Sequence, residues 1–220
     1  MCGIVGYIGN KQASDIIVKG LERLEYRGYD SAGIALLNGQ LDIKKGKGKV
    51  QNLKKKVNAD SSEGFVGIGH TRWATHGAPN DINSHPHVSG SGKIALVHNG
   101  IIENYNTLKK ELKNKGRTFH TDTDTEVIAQ LIEEIYESSN GEEITFEQAV
   151  QMALQQVVGT YGLAILNVEE PNRIIVARKG SPLLLGIGDD EMFIASDASP
   201  IVEHTKKVIY LDDGEMAVVT

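Results

Sequence analysis

The residue best suited to chemistry is the single cysteine, Cys2, which directly follows Met1 and precedes Gly3. Removal of Met1 would leave a thiol and a free α-amino group on the same residue. That amine has a reference pKa of about 7.7–8.0, so near neutral pH it can accept the thiol proton as a built-in base. The position predicts a nucleophile at the N-terminus. The alternative at this point is a small buried cysteine that only packs.

An arginine in the segment 24–33 could stand beside such a nucleophile. Polar residues and glycines interrupt a helix there and lead into a strand. We expect this loop to bring Arg27 and Gly28 to the start of the chain. A simple turn that ends the helix at a glycine is the alternative.

A second group of chemically capable residues ends an apolar strand in the segment 70–77. It contains Arg72, Trp73, Thr75 and His76. An arginine offers a planar fork that matches a carboxylate, and a tryptophan offers a rigid apolar wall. This concentration of side chains favours a binding site over an isolated surface ion pair.

Two further segments could supply an oxyanion hole and an anionic ligand. Asn99 and Gly100 follow the apolar run 94–97. An Asn-Gly pair is typical of a tight turn, but its carboxamide and the adjacent N–H are also the two donors that stabilise an oxyanion. Asp124 lies among three acids that open a helix in the segment 121–126. Capping accounts for part of that charge and leaves one carboxylate for a ligand cation.

Three other sequence patterns are weaker indications of a functional site. The two histidines of the segment 85–87 have no cysteine or acid at the spacing of a metal site, so we expect no metal and no other cofactor. Seven lysines between residues 44 and 56 lack interleaved aromatic residues and predict a solvated face rather than a nucleic-acid surface. The segment 90–93 resembles a phosphate-binding loop but lacks its flanking residues.

The elements that must position these residues are short strands and amphipathic helices. Strands are predicted by β-branched runs bounded by glycine, at 4–8, 33–37, 65–70, 94–98, 163–168, 174–178, 192–195, 208–211 and 216–219. Helical spacing follows Ser14, a predicted N-cap, and also follows Asn104 and Asp124; a capping box at Thr145 precedes a helix predicted over 149–158. The connections after residue 160 are too short for crossover helices, which favours an antiparallel α+β architecture.

Composition limits the functional class. The 220 residues suit one domain, and the net charge of −6 argues against a general binder of nucleic acid or anionic membranes. One cysteine excludes an intramolecular disulfide and a multi-cysteine zinc site. The N-terminus lacks the features of a signal peptide, so we expect a soluble cytoplasmic protein that does not enter a membrane.

Six short motifs in chain order resemble those of class II glutamine amidotransferases. They are CGIVG from residue 2, YRGYDSAG from 26, HTRWATHG from 70, HPH from 85, HNGIIEN from 98 and TDTE from 123. Within that class the chain is similar to the glutaminase domain of the branch that makes glucosamine 6-phosphate from fructose 6-phosphate. Trp73, the Thr75-His76-Gly77 run and the segment 101–104 favour this branch.

The resemblance implies an N-terminal-nucleophile hydrolase fold, a four-layer αββα sandwich of two antiparallel sheets. It implies one amidotransferase domain over residues 1–220, L-glutamine as substrate, and a sugar-isomerase domain outside this chain in a homo-oligomeric whole protein. It also implies roles: Cys2 as nucleophile, its amine as base, and Asn99 with Gly100 as the oxyanion hole. Arg72 would bind the α-carboxylate and Asp124 the α-ammonium. The remaining candidates would line or support the pocket; they are Trp73, Thr75, His76, Arg27 and Gly28.

Three alternatives remain at this point. The nearest is the glutaminase domain of an amidophosphoribosyltransferase or asparagine synthetase. A second is a non-catalytic amino-acid-binding domain on the same fold, against which Cys2 argues. The third is DNA binding through the lysine-rich segment.

Overall fold

A computed structural model describes residues 2–59, 63–73, 77–138 and 144–220. Within these residues the strands form two antiparallel sheets. The first sheet has the order β11-β9-β10-β1-β4-β2-β3, and its strands are β1 (Gly3–Ile8), β2 (Ser31–Asn38), β3 (Gln40–Lys47), β4 (Val66–Arg72), β9 (Leu184–Ile187), β10 (Met192–Ala195) and β11 (Val208–Tyr210). The second has the order β12-β8-β7-β6-β5, and its strands are β5 (His87–Val88), β6 (Ile94–Ile102), β7 (Gly159–Asn167), β8 (Ile174–Lys179) and β12 (Met216–Val219).

The described helices cover the two outer faces of the sheet pair. Helices α1 (Ala13–Leu24) and α2 (Val50–Ala59) share a buried apolar cluster with the first sheet. Helices α3 (Tyr105–Asn114), α4 (Thr125–Glu137) and α5 (Phe146–Gln156) share another with the second sheet. A third apolar cluster lies between the sheets and draws on strands of both. These layers confirm the predicted αββα sandwich, because helices pack on the outer face of each sheet and an apolar cluster fills the space between the sheets.

The helix ends agree only in part with the sequence predictions. Thr145 forms the predicted capping box, since its hydroxyl accepts from Gln148 N–H and its own N–H donates to the Gln148 side chain at 2.8 Å. The prediction for Ser14 was wrong: Gln12 precedes α1, and Ser14 is buried inside its first turn. Asn104 and Asp124 precede α3 and α4 as predicted, but neither side chain caps its helix.

The lysine-rich segment forms β3 and α2, which the sequence analysis did not predict. Val50, Leu53 and Val57 supply the buried stripe of α2 and lie at helical spacing. Its lysines surround that stripe and obscure the pattern. Strands β5, of only two residues, and β9, of four, were also missed.

Two strand ends bring the candidate residues together. β1 lies between β10 and β4, and Gly3 is opposite Thr71 in the antiparallel register. Cys2 therefore comes beside the end of β4, where Arg72 and Trp73 lie. β6 passes this region in the other sheet. Within the described residues, none of the helices combines the length and apolar character that crossing a bilayer requires.

Candidate active site

The Cys2 side chain is held at the end of β1 by the backbone of Trp73. Its Sγ accepts a hydrogen bond from Trp73 N–H at 3.2 Å and lies 3.5 Å from Trp73 O. Burial raises the pKa of the Cys2 thiol, although the Trp73 N–H and the charge of Arg72 act in the opposite direction. Near neutral pH the sulfur therefore carries its proton, and a nucleophilic role requires a base.

Asn99 and Gly100 lie across the cavity from this sulfur, near the end of β6. Asn99 Nδ2 donates to the backbone carbonyl of Cys2 at 3.2 Å, which places the carboxamide beside Cys2. Gly100 has φ 138°, a region that other residues rarely adopt. A Cβ built there would lie 2.1 Å from Thr160 O, so the close passage of β7 requires glycine.

Arg72 and Asp124 line the same cavity, whose volume is about 260 Å³. Both residues are buried. Arg72 donates to Gly77 O at 3.2 Å, and Asp124 Oδ2 accepts from Ile102 N–H at 2.8 Å, so each side chain is anchored by backbone. A buried cation and a buried carboxylate in one cavity suit a small molecule that carries both a carboxylate and an ammonium group.

Arg27 and Gly28 support the start of the chain from a neighbouring loop. Arg27 donates to Ser196 O at 3.1 Å, and Ser196 in turn bonds the backbone of Ile4. A Cβ at Gly28 would lie 2.8 Å from the carbonyl carbon of Arg72, so glycine lets this loop press against the strand end that holds the sulfur.

Trp73 stands at the edge of the cavity, half exposed, with its ring edge-on to Tyr29 at 5.7 Å. The sequence analysis also placed Thr75 and His76 near the pocket. Both lie outside the described residues.

Four buried histidines connect these groups and were not assigned a role from sequence. His70 and His85 stack with ring centroids 4.1 Å apart, and His87 lies edge-on to His85. Burial lowers the pKa of His70 to about 3 and the pKa values of His85 and His87 well below the usual 6.5. These three rings are therefore neutral at physiological pH.

The fourth histidine determines where some of these protons lie. His98 Nε2 is 3.2 Å from Thr160 O, and a carbonyl can only accept, so this nitrogen donates. His98 Nδ1 lies 3.0 Å from the Thr125 hydroxyl, which donates to it when the ring is neutral. The Thr125 oxygen in turn accepts from His85 Nε2 at 3.0 Å.

Several cavity residues had no individual signal in the sequence. They are Ile101, Thr123, Thr125, Thr160, Ser181 and Pro182. The alternation of threonine and acid around Asp124 could have suggested Thr123 and Thr125, because a hydroxyl next to a ligand acid is well placed to orient its neighbours. Thr160 and the pair 181–182 come from β7 and the turn after β8, so only the fold brings them to the site. No cluster of three or more potential metal ligands occurs in the described ranges.

Comparison with known proteins identifies a protein family and two similar aminotransferases. The family model described as "Glutamine amidotransferase domain" matches residues 70–203. The chain is 56% identical to the glutamine–fructose-6-phosphate aminotransferase (isomerizing) of Chlorobaculum tepidum and 58% identical to that of Bacteroides thetaiotaomicron. In both cases the similarity covers all of this chain and 36% of the relative.

A solved structure extends the similarity to the fold. The glutamine phosphoribosylpyrophosphate amidotransferase of B. subtilis superimposes with a TM-score of 0.82 at 30% identity, over 99% of this chain and 47% of that one. The identity is well below that of the two aminotransferases.

Proposed function

Since this chain belongs to the glutamine amidotransferase family, we propose that it hydrolyses the side-chain amide of L-glutamine to glutamate and ammonia, with Cys2 as the nucleophile. One observation carries the proposal. Cys2, Arg72, the adjacent pair Asn99 and Gly100, and Asp124 come from four separate places in the chain and line a single cavity.

The first step needs removal of the Cys2 thiol proton. Burial raises the pKa of this thiol, so a thiolate does not form without help. After loss of Met1 the α-amine of Cys2 is the base, because it sits on the same residue and its ordinary pKa is close to neutral. A peptide-bonded nitrogen cannot accept that proton, so the proposal requires processing at Met1.

The sulfur attacks the side-chain carbonyl carbon of glutamine, and negative charge develops on the carbonyl oxygen. Asn99 Nδ2–H and Gly100 N–H are the proposed donors to this oxyanion. As the carbon–nitrogen bond breaks, the α-ammonium of Cys2 returns its proton and ammonia leaves. Water then hydrolyses the γ-glutamyl thioester, which releases glutamate and restores the thiol.

Arg72 and Asp124 select the substrate at its other end. The guanidinium binds the α-carboxylate and the Asp124 carboxylate binds the α-ammonium. Both side chains are buried and anchored by backbone, so their positions are set before glutamine enters.

The test is the release of glutamate and ammonia in equal amounts when glutamine is added to the purified chain. Cys2→Ala should abolish both products while leaving the thermal unfolding midpoint close to wild type. Because Cys2 is the only cysteine, alkylation with one equivalent of iodoacetamide should also abolish turnover. Product formation by Cys2→Ala would contradict the proposal.

Intact-mass measurement of the same preparation addresses the base. Active protein should lack Met1, and a fraction that retains Met1 should have lost turnover in proportion. Equal rates from processed and unprocessed protein would exclude the α-amine as the base.

For the whole protein we propose transfer of this ammonia to fructose 6-phosphate, which yields glucosamine 6-phosphate. The support is the 56–58% identity to the two aminotransferases, of whose length this chain spans 36%. The lower identity to the phosphoribosylpyrophosphate amidotransferase makes that branch the second candidate. Assay of the whole protein with each acceptor in the presence of glutamine separates the two.

A further inference from the structure

We propose that His70 is a positioning residue that determines which way the Asn99 carboxamide points. The inference rests on the proposed function, in which the NH₂ group of Asn99 faces the developing oxyanion. A carboxamide is nearly symmetric in shape, so rotation by 180° would replace the donor beside Cys2 by an oxygen. Neighbouring groups must therefore favour one of the two orientations of the Asn99 carboxamide.

Two backbone carbonyl oxygens, those of His98 and Cys2, select the orientation, because a carbonyl oxygen accepts hydrogen bonds and cannot donate them. His70 Nε2 lies 2.9 Å from Asn99 Oδ1 and 3.1 Å from the backbone oxygen of His98. A backbone oxygen accepts only, so Nε2 carries a proton and donates to both oxygens. At the other end of the carboxamide, Nδ2 donates to the carbonyl of Cys2 at 3.2 Å. The reversed carboxamide would set oxygen against oxygen at Cys2 and N–H against N–H at His70.

The His70 ring is held in the state that this requires. Its Nδ1 is buried and has no hydrogen-bond partner among the described residues, so a proton on that nitrogen would be unsatisfied. The ring lies on His85 in a stacked arrangement, with planes 28° apart, which restricts its rotation. Burial also keeps the ring neutral, with a pKa of about 3, so it carries one proton rather than two.

The contact crosses between layers of the fold. His70 belongs to β4 in the first sheet, and Asn99 belongs to β6 in the second. The strand β4, whose end lies beside Cys2, therefore also orients the donor on the opposite sheet. This arrangement couples the positions of nucleophile and oxyanion hole through one imidazole.

The kinetic test compares His70→Leu, which removes the donor, with His70→Gln, whose side-chain NH₂ can replace Nε2–H. We expect His70→Leu to lower kcat about 10–100-fold with little change in KM, since loss of one oxyanion donor costs about 10²–10³ in kcat. His70→Gln should recover most of that loss. Equal kcat values for the Leu and Gln variants, or a loss confined to KM, would overturn the proposal.

A double-mutant cycle separates positioning from general damage to the fold. In an Asn99→Ala background His70 has no carboxamide to orient, so His70→Leu should leave kcat within about threefold of Asn99→Ala alone. The same fold-loss in both backgrounds would show that His70 acts only through stability. Thermal unfolding midpoints for all variants identify any that do not fold.

The tautomer of His70 can be determined in the wild-type protein by a measurement that does not depend on enzymatic activity. Long-range ¹H–¹⁵N spectra of histidine-labelled protein, with His70 assigned by comparison with His70→Gln, should show a protonated Nε2 and a bare Nδ1 at pH 7. A proton on Nδ1 would reverse the carboxamide and refute the inference. If the wild type released no glutamate, the proposed function would fail while this spectrum still decided the role of His70.

Discussion

The buried carboxylate of Asp124 is held in a fixed position at the cavity where the ligand is proposed to bind. Its Oδ2 accepts from Ile102 N–H at 2.8 Å, and the residue precedes the first turn of α4, where the helix dipole favours negative charge. The neighbouring carboxylates have structural partners: that of Glu126 accepts from Thr121 N–H, and that of Asp122 accepts from Asn83 Nδ2 at 3.4 Å. Among these acids only Asp124 lines the cavity, so the proposed ammonium contact belongs to it.

Replacement of Asp124 by asparagine should therefore weaken substrate binding more than chemistry. The variant keeps an oxygen for Ile102 N–H and loses only the charge. Hydrogen bonds to charged groups contribute about 1.5–3 kcal/mol, so kcat/KM for glutamine should fall roughly 10–100-fold, mainly through KM. Steady-state kinetics with glutamine provides the measurement.

α-N-acetylglutamine is the matched control for this charge contact, because it lacks the ammonium group. The wild type should use it poorly, and Asp124→Asn should change its kcat/KM much less than that of glutamine. If Asp124→Asn left kcat/KM for glutamine unchanged, Asp124 would not be the ammonium ligand.

At the scale of elements, hydrogen bonds connect the start of α4 both to β6 and to the segment that contains His85. Thr125 is the first residue of the helix, and its hydroxyl lies 3.0 Å from both His85 Nε2 and His98 Nδ1. His98 lies in β6 directly before Asn99. The hydroxyl thus connects the start of the helix that follows Asp124 to the strand that contains Asn99, the proposed oxyanion donor.

Thr125→Val should break this tie at nearly constant volume. It removes the hydroxyl that His85 Nε2 and His98 Nδ1 share as a partner, so the free energy of unfolding should fall by about 1–3 kcal/mol. Thr125→Ser keeps the hydroxyl and should be close to wild type. Urea unfolding of the three proteins at pH 7.5 makes the comparison, and equal midpoints for Val and Ser would show that the hydroxyl bonds contribute nothing.

At the scale of the whole molecule, the sandwich encloses ionisable rings that must stay neutral. His70, His85 and His87 are buried with pKa values far below 6.5. In the unfolded chain these rings regain their ordinary pKa and bind protons below it. The unfolded state therefore binds more protons than the folded state at mildly acidic pH, and stability must fall there.

The stability contributed by these neutral rings should be complete above about pH 6.5 and decline as the pH falls. Each ring contributes up to about 1.4 kcal/mol per pH unit below its unfolded pKa, so three give at most about 4 kcal/mol between pH 6.5 and 5.5. Urea unfolding at pH 7.5, 6.5 and 5.5 measures the change. His87→Gln should flatten the dependence and the exposed His120→Gln should not; a stability that stays level over this range would contradict the prediction.

Most of the elements and the types of the candidate site residues were predictable from the sequence, because both depend on local patterns. Cys2 beside the first strand, Asn99-Gly100 after an apolar run and Asp124 at a helix start are read from neighbours only a few residues apart. The resemblance carried by six motifs then led to the two-sheet sandwich that the structure confirms. Strand β3 and helix α2 escaped prediction because three lysines in each lie among their few apolar positions.

The tertiary structure alone decided which of these groups meet and how they are oriented. His70 and Asn99 are 29 residues apart and lie in different sheets, so their hydrogen bond exists only because the sheets pack face to face. Thr160 and Thr125 likewise order the His98 and His85 protons from distant segments. Local sequence determines which donors and acceptors a residue carries. Packing determines which donors and acceptors must hydrogen-bond to one another, because a buried polar group cannot hydrogen-bond to water instead.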